Sequence, residues 1–165
     1  MPSSTPRSAF WRGVRDSVPF IVVIGPFGLV FGIVATEAGL TLGQSMGFSV
    51  LVIAGASQFA AIQLMVENAP TLIVLATALA VNLRMAMYSA SLAPHLGAAP
   101  FWKRGIIAYL NVDQTYAVSI AKFDRSPEMS LAEKTAYFFG TATPTLPFWA
   151  IMSLIGATFG ALIPA

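Results

Sequence analysis

Residues 70–94 read PTLIVLATALAVNLRMAMYSASLAP, a run in which the single charge, Arg84, stands near the centre. A helix needs about 20 apolar residues to cross the hydrocarbon core of a bilayer, and this run is long enough. A charge held at that depth costs about 2.5–3.5 kcal/mol on insertion scales. Arg84 is therefore expected to face a partner, a water-filled cavity or a substrate. In a helix, residues three and four apart share a face. Thr77, Arg84, Tyr88, Ser91 and His95 then form one polar stripe on an otherwise apolar rod. Two readings follow. The stripe is the wall of a transport route, with Arg84 holding a carboxylate, or Arg84 makes a structural ion pair with Asp113 or snorkels to the interface. Asn82 lies off this face, where it can bond to a neighbouring helix.

The composition agrees with a membrane chain. Of 165 residues, 56% are hydrophobic and only 10% are charged, against about 25% charged in an average soluble domain. Mean hydropathy is +0.75. The net charge of +2 and the absence of a basic run give no nucleic-acid footprint. With no cysteine and one histidine, His95, the chain offers no thiolate metal site, no cysteine nucleophile and no histidine cluster. No cofactor is expected.

Working outward, the fold class is all-α, a polytopic helical membrane protein with about five membrane segments. The first covers residues 17–36, with breaks expected at Gly25, Pro26 and Gly28 because proline removes a backbone donor and glycine loosens the helix. The second covers 45–66. It holds AGASQFAAIQ (54–63), whose small residues suit close helix contact or local unwinding around Gly55, with Gln58 as a neutral hydrogen-bonding side chain. The third is the Arg84 segment. The fourth covers 105–121 and carries Asn111, Asp113 and Gln114, with Tyr109, Asp113 and Tyr116 on one face. Asp113 is a candidate for binding an ammonium group or the coupling proton, or for serving as counter-ion to Arg84. The fifth covers 137–165, where Pro144 and Pro147 imply one kinked helix or two pieces. Ahead of it, Ser130 and Glu133 have the spacing of a capping box, so a helix is expected to start near Leu131. Residues 1–16 read as a basic interfacial segment with Phe10, Trp11 and Val14 beside Arg12 and Arg15, and 17–165 as a single transmembrane domain. Arg7, Arg12 and Arg15 favour a cytoplasmic N-terminus; a re-entrant second segment would reverse every later one.

Taken together, PFGLVFG (26–32), AGASQFAA (54–61), VNLRMAMYSASLAP (81–94) and the fourth-segment Asp113 resemble the AzlC family of bacterial branched-chain amino acid exporters. The matching positions are Pro26, Phe27, Gly28, Gly55, Gln58, Phe59, Asn82, Arg84 and Asp113. The resemblance implies a multi-pass protein of the cell inner membrane. It would be a secondary transporter subunit driven by the proton gradient and exporting leucine, isoleucine or valine, with a small hydrophobic partner of the AzlD type. Candidate substrate or route residues are then Arg84, Asp113, Gln58, Asn82, Tyr88 and Phe59. A half-helix N-terminus is an alternative holder of the carboxylate, and Met85 is a further pocket candidate. The chain departs from the family where Gln114 replaces an acid after the aspartate. Members are usually longer, so the expectation is a domain truncated at its C-terminus, a short variant or a fragment. Two other classes fit parts of the pattern. One is a non-transporting membrane assembly subunit. The other is an intramembrane serine hydrolase built on Gly55-Ala56-Ser57 with His95 as base.

Overall fold

A computed structural model describes residues 5–162, and every regular element among them is helical. They are α1 (Pro6–Ser17), a 3₁₀ turn (Val18–Phe20), α2 (Ile21–Glu37), α3 (Leu42–Leu51), α4 (Gly55–Val66), α5 (Thr71–Leu96), α6 (Phe101–Leu110), α7 (Asp113–Arg125) and α8 (Leu131–Gly160). Three stretches are long and apolar enough to cross a membrane: Pro6–Glu37, Thr71–Leu96 and Leu131–Gly160. Between them lie two interrupted segments, α3–α4 and α6–α7. This is a polytopic helical membrane fold, as the composition requires.

Local chemistry sets most boundaries. Thr5 caps α1 and Thr41 caps α3, each in a reciprocal bond with the residue three positions on. Ser130 and Glu133 do the same at α8, where the Ser130 hydroxyl donates to the Glu133 carboxylate at 2.7 Å. Asn68, with φ of 54°, ends the turn after α4 in the left-handed conformation that asparagine tolerates.

The expected proline and glycine breaks need correction. Pro26 lies inside α2, and Gly25 and Gly28 are helical beside it. Pro144 and Pro147 lie inside α8, which is one helix of 30 residues. A proline forfeits one helical bond, but in an apolar setting the chain has no better partner for the remaining backbone groups, so the helix continues. In α8, threonine hydroxyls bond back to carbonyls around the prolines: Thr141 to Phe138, Thr143 to Phe139 and Thr145 to Thr141, at 2.7–2.8 Å. The breaks occur instead at residues 52–54 and 111–112. Only Gly55, the first residue of α4, stands at one of them.

The helices group into two compact units. The first contains residues 5–21 and Arg84–Leu146, hence α1, the second half of α5, α6, α7 and the first half of α8. Its core holds Leu92, Leu96, Ile107, Phe123, Tyr137 and Phe138. Here α1 and α8 approach closely through glycine: a Cβ on Gly13 would strike the Tyr137 carbonyl, and one on Gly140 would strike that of Phe10. The Tyr137 hydroxyl donates to Asp16 at 2.8 Å.

The second unit contains Val22–Leu83 and residues 147–162, hence α2, α3, α4, the first half of α5 and the second half of α8. Its core is Phe31, Ala35 and Ile62, flanked by Phe48, Phe59 and Trp149. Gly28, Gly32 and Gly156 let α2 and α8 touch backbone to backbone, at Trp149, Ser153 and Leu29 respectively. The glycines of PFGLVFG thus serve close packing, because a hydrogen is all that fits between the two helices. Ser49 of α3 donates to Ser153 of α8 at 3.0 Å, a buried polar link in the same unit.

Candidate functional site

In the first unit the polar stripe of α5 lies against α7. The Arg84 guanidinium meets the Asp113 carboxylate at 2.8 Å, and the Tyr88 hydroxyl donates to the same carboxylate at 3.0 Å. Further along, Tyr88 and Tyr116 stack with ring centres 4.2 Å apart and planes 8° from parallel. The Tyr116 hydroxyl donates to Ser91 at 3.1 Å. At the far end His95 faces Asp124 at 3.7 Å and Lys134 at 3.4 Å. Arg84 and Tyr88 meet Asp113, Ser91 meets Tyr116 and His95 meets Asp124, so the two helices run side by side in the same direction.

The break between α6 and α7 places Asp113 at this point. Asp113 is the first residue of α7, where unpaired backbone N–H groups and the helix dipole favour a negative charge. Thr115 stitches the break: its hydroxyl accepts from the Val112 N–H at 3.0 Å and donates to the Leu110 carbonyl at 2.8 Å. Asn111, buried at the end of α6, donates to Ser89 at 3.3 Å and leaves its Oδ1 without a partner. Tyr109 belongs to α6, so the expected common face of Tyr109, Asp113 and Tyr116 does not exist. The side chains of Arg84 and Asp113 are 26% and 40% exposed. The pair is therefore neither sealed in a core nor free in solvent, an arrangement that lets either charge change partner.

The other candidates fall in the second unit. Gln58 lies in the first turn of α4, fully buried, and neither its Oε1 nor its Nε2 has a hydrogen-bond partner. Phe59 follows it and meets Phe31 edge-on at 5.9 Å. Asn82 lies on α5 with its Oδ1 buried and unpartnered. The geometry thus brings Arg84, Tyr88 and Asp113 into direct contact, and sets Gln58 beside Phe59 in the other unit.

Sequence reading passed over Trp149. Its indole N–H is buried and unpartnered, its ring stacks on Phe31 at 5.9 Å, and its edge lies over Gly55, where an added Cβ would be 3.2 Å from Cη2. A tryptophan in an otherwise apolar stretch gives no local signal; its role shows only once α8 is laid beside α4. Ser57 donates to the Ala54 carbonyl at 2.9 Å, while His95 is engaged by Asp124 and Lys134.

Comparison with known proteins places this architecture. Residues 19–163 match the AzlC protein family. The inner membrane protein YgaZ of Escherichia coli is 27% identical over 96% of this chain and 64% of its own length. An uncharacterized membrane protein of Archaeoglobus fulgidus is 30% identical over 88% of this chain, and one of Helicobacter pylori is 25% identical over 92%. The chain spans about two thirds of the length of each of these relatives. No solved structure matches it. The three long apolar helices and the membrane-protein relatives make it a multi-pass inner-membrane protein. The match over residues 19–163 includes both broken segments and the Arg84–Asp113 pair, and the chain belongs to the AzlC family.

Proposed function

We propose that the protein is a subunit of a secondary transporter that exports branched-chain amino acids, driven by the proton gradient and working with a small AzlD-type membrane subunit. One observation carries the reading: an arginine on a helix of membrane-spanning length pairs at 2.8 Å with an aspartate that begins α7, just after the break that follows α6. Intramembrane ionisable residues are expensive and mark ion or substrate routes. Half-helices that end within transporter segments are where substrates and coupling ions bind. A zwitterion carries the same two charges as the pair. Its carboxylate can replace Asp113 at Arg84, and its ammonium can replace Arg84 at Asp113. Asp113 is also the residue to which this reading assigns the coupling proton. Apolar walls accommodate an aliphatic side chain but discriminate weakly, since one methylene is worth about 1–3 kcal/mol.

The test is efflux of preloaded labelled valine, leucine and isoleucine from vesicles, with and without the small subunit. Arg84→Ala and Asp113→Ala should each abolish efflux, and collapsing the proton gradient should stop it in the unaltered protein. Efflux unchanged by both substitutions would sink the site assignment. Absence of efflux from the unaltered protein with its partner would sink the exporter reading itself.

A further inference from the structure

The hairpin of α5 and α6, in the first unit, carries chemistry that the exporter reading leaves unused. Helix α5 is of membrane-spanning length and ends at Leu96; α6 starts at Phe101 after a short turn. The first four residues of α6 are Phe-Trp-Lys-Arg (101–104). Phe101 is 83% exposed and Trp102 62%, so neither ring helps to build the core. The Lys103 ammonium lies 5.3 Å from the centre of the Trp102 ring, and the Arg104 guanidinium 5.8 Å from that of Phe101. Among the described residues neither cation pairs with a carboxylate. Exposed aromatic rings beside lysine and arginine at the end of a spanning helix mark the level of the lipid headgroups.

A partly open groove of about 230 Å³ runs between the two helices from this point. Gly97 and Arg104 line its end next to the turn. Ser89 and Asn111 line the opposite end, where the asparagine donates to the serine at 3.3 Å. Between the ends the walls are apolar, with Leu92 and Ala93 on α5 and Ile107 and Ala108 on α6. Arg104 and Asn111 are about 10 Å apart along the helix axis. A guanidinium thus stands at the headgroup end of a narrow apolar slot. An α-helix with its side chains is about 10–12 Å across, too wide to enter a cavity of this volume, whereas a hydrocarbon chain fits. Basic residues at a pocket between membrane helices hold the headgroups of anionic lipids.

We infer that this groove binds one anionic phospholipid. The phosphate sits against Arg104, and Lys103 adds to the local positive potential. One acyl chain fills the slot along Leu92, Ile107 and Ala108, while the other stays in the bilayer. Phe101 and Trp102 lie at the depth of the headgroup. The site is separate from the Arg84–Asp113 pair and does not depend on the exporter reading. Its inner end is Asn111, the first residue of the break before α7, so a bound chain braces that break.

The experiment is native mass spectrometry of the purified protein, titrated in detergent with phosphatidylglycerol or with phosphatidylcholine of identical acyl chains. One phosphatidylglycerol should bind about fivefold more tightly than phosphatidylcholine, the effect of about one basic residue near an anionic headgroup. Arg104→Gln should abolish that preference, and Lys103→Gln should reduce it by a smaller factor. Ala108→Phe fills the slot with both cations intact and should weaken both lipids by about tenfold. Arg104 and Ala108 are exposed, so without lipid both variants should melt close to the unaltered protein. Added phosphatidylglycerol should raise the melting temperature of the unaltered protein and leave that of both variants unmoved. Inorganic phosphate and glycerophosphoglycerol, which lack the chains, should not displace the lipid. Equal binding of the two lipids, equal losses from Lys103→Gln and Arg104→Gln, or full binding by Ala108→Phe overturns the site and leaves only a diffuse surface charge. Displacement by inorganic phosphate reduces it to an anion site without a chain, and displacement by the small partner subunit hands the groove to a protein; either result overturns the inference.

Discussion

Replacing Arg84 by Met and Asp113 by Asn, singly and together, should show strong coupling in stability and none in transport. At 2.8 Å the pair's attraction is about 1.5 kcal/mol in a water-like dielectric and about 6 kcal/mol at an effective constant of 20. Side-chain exposures of 26% and 40% mean that desolvation is partial, so solvent screening removes much of the upper figure. The expected coupling energy is about 1–3 kcal/mol. Each single variant leaves one charge without its counterpart at membrane depth and should be destabilised by more than the double variant. Exchanging the two residues should recover only part of the loss. Asp113 also accepts from Tyr88 and begins α7, whose N-terminus disfavours an arginine by about 0.3–1 kcal/mol. The assay is thermal unfolding of the purified variants in one detergent, set beside valine efflux of the same proteins. The double variant should be folded and near normal in melting temperature, yet inactive. Strict additivity of the two single effects would refute the pair as an energetic unit. Normal efflux by the double variant would reduce it to a packing contact and favour the assembly-subunit reading.

Other expectations concern how the helices are held. Gly32→Ala should destabilise by about 1–3 kcal/mol, because its Cβ would strike the backbone of Ser153 and Ala157. Gly43→Ala, on α3 with nothing within 4 Å of the new methyl, should instead stabilise by up to about 1 kcal/mol through helix propensity. Opposite shifts in melting temperature check both. Tyr137→Phe should cost about 1–2 kcal/mol, since the lost hydrogen bond is to a carboxylate while Asp16 keeps some access to water; chemical unfolding of the two proteins measures it. Ser130→Ala should cost about 1 kcal/mol by removing the cap of α8, read in the same assay.

The Arg84 segment and its polar stripe were legible because a single period of 3.6 residues places 84, 88, 91 and 95 on one face, and all four meet α7. Ser130 and Glu133 revealed the start of α8 because a capping box is a local device. The two helix breaks were not legible. Residues 52–54 are Val-Ile-Ala, none of them a usual helix breaker, and 111–112 are Asn-Val, where only the asparagine is a common helix terminator and no glycine or proline reinforces it. Tertiary packing overrides their propensity, while Pro26, Pro144 and Pro147, the obvious breakers, stay within helices whose threonines and neighbours absorb the missing bond. The close approaches of Gly32 to Ser153 and of Gly55 to Trp149 join residues about a hundred positions apart, and no local pattern announces them.

The central claim is that the charged pair lines an aqueous route rather than a lipid-facing seam. With no native cysteine, Ser91→Cys puts a single thiol on the stripe two turns from Arg84 at little cost in volume. In intact vesicles it should react with a membrane-impermeant thiol reagent, and added valine should slow that reaction. Reaction only with lipid-soluble reagents, indifferent to valine, would contradict the account.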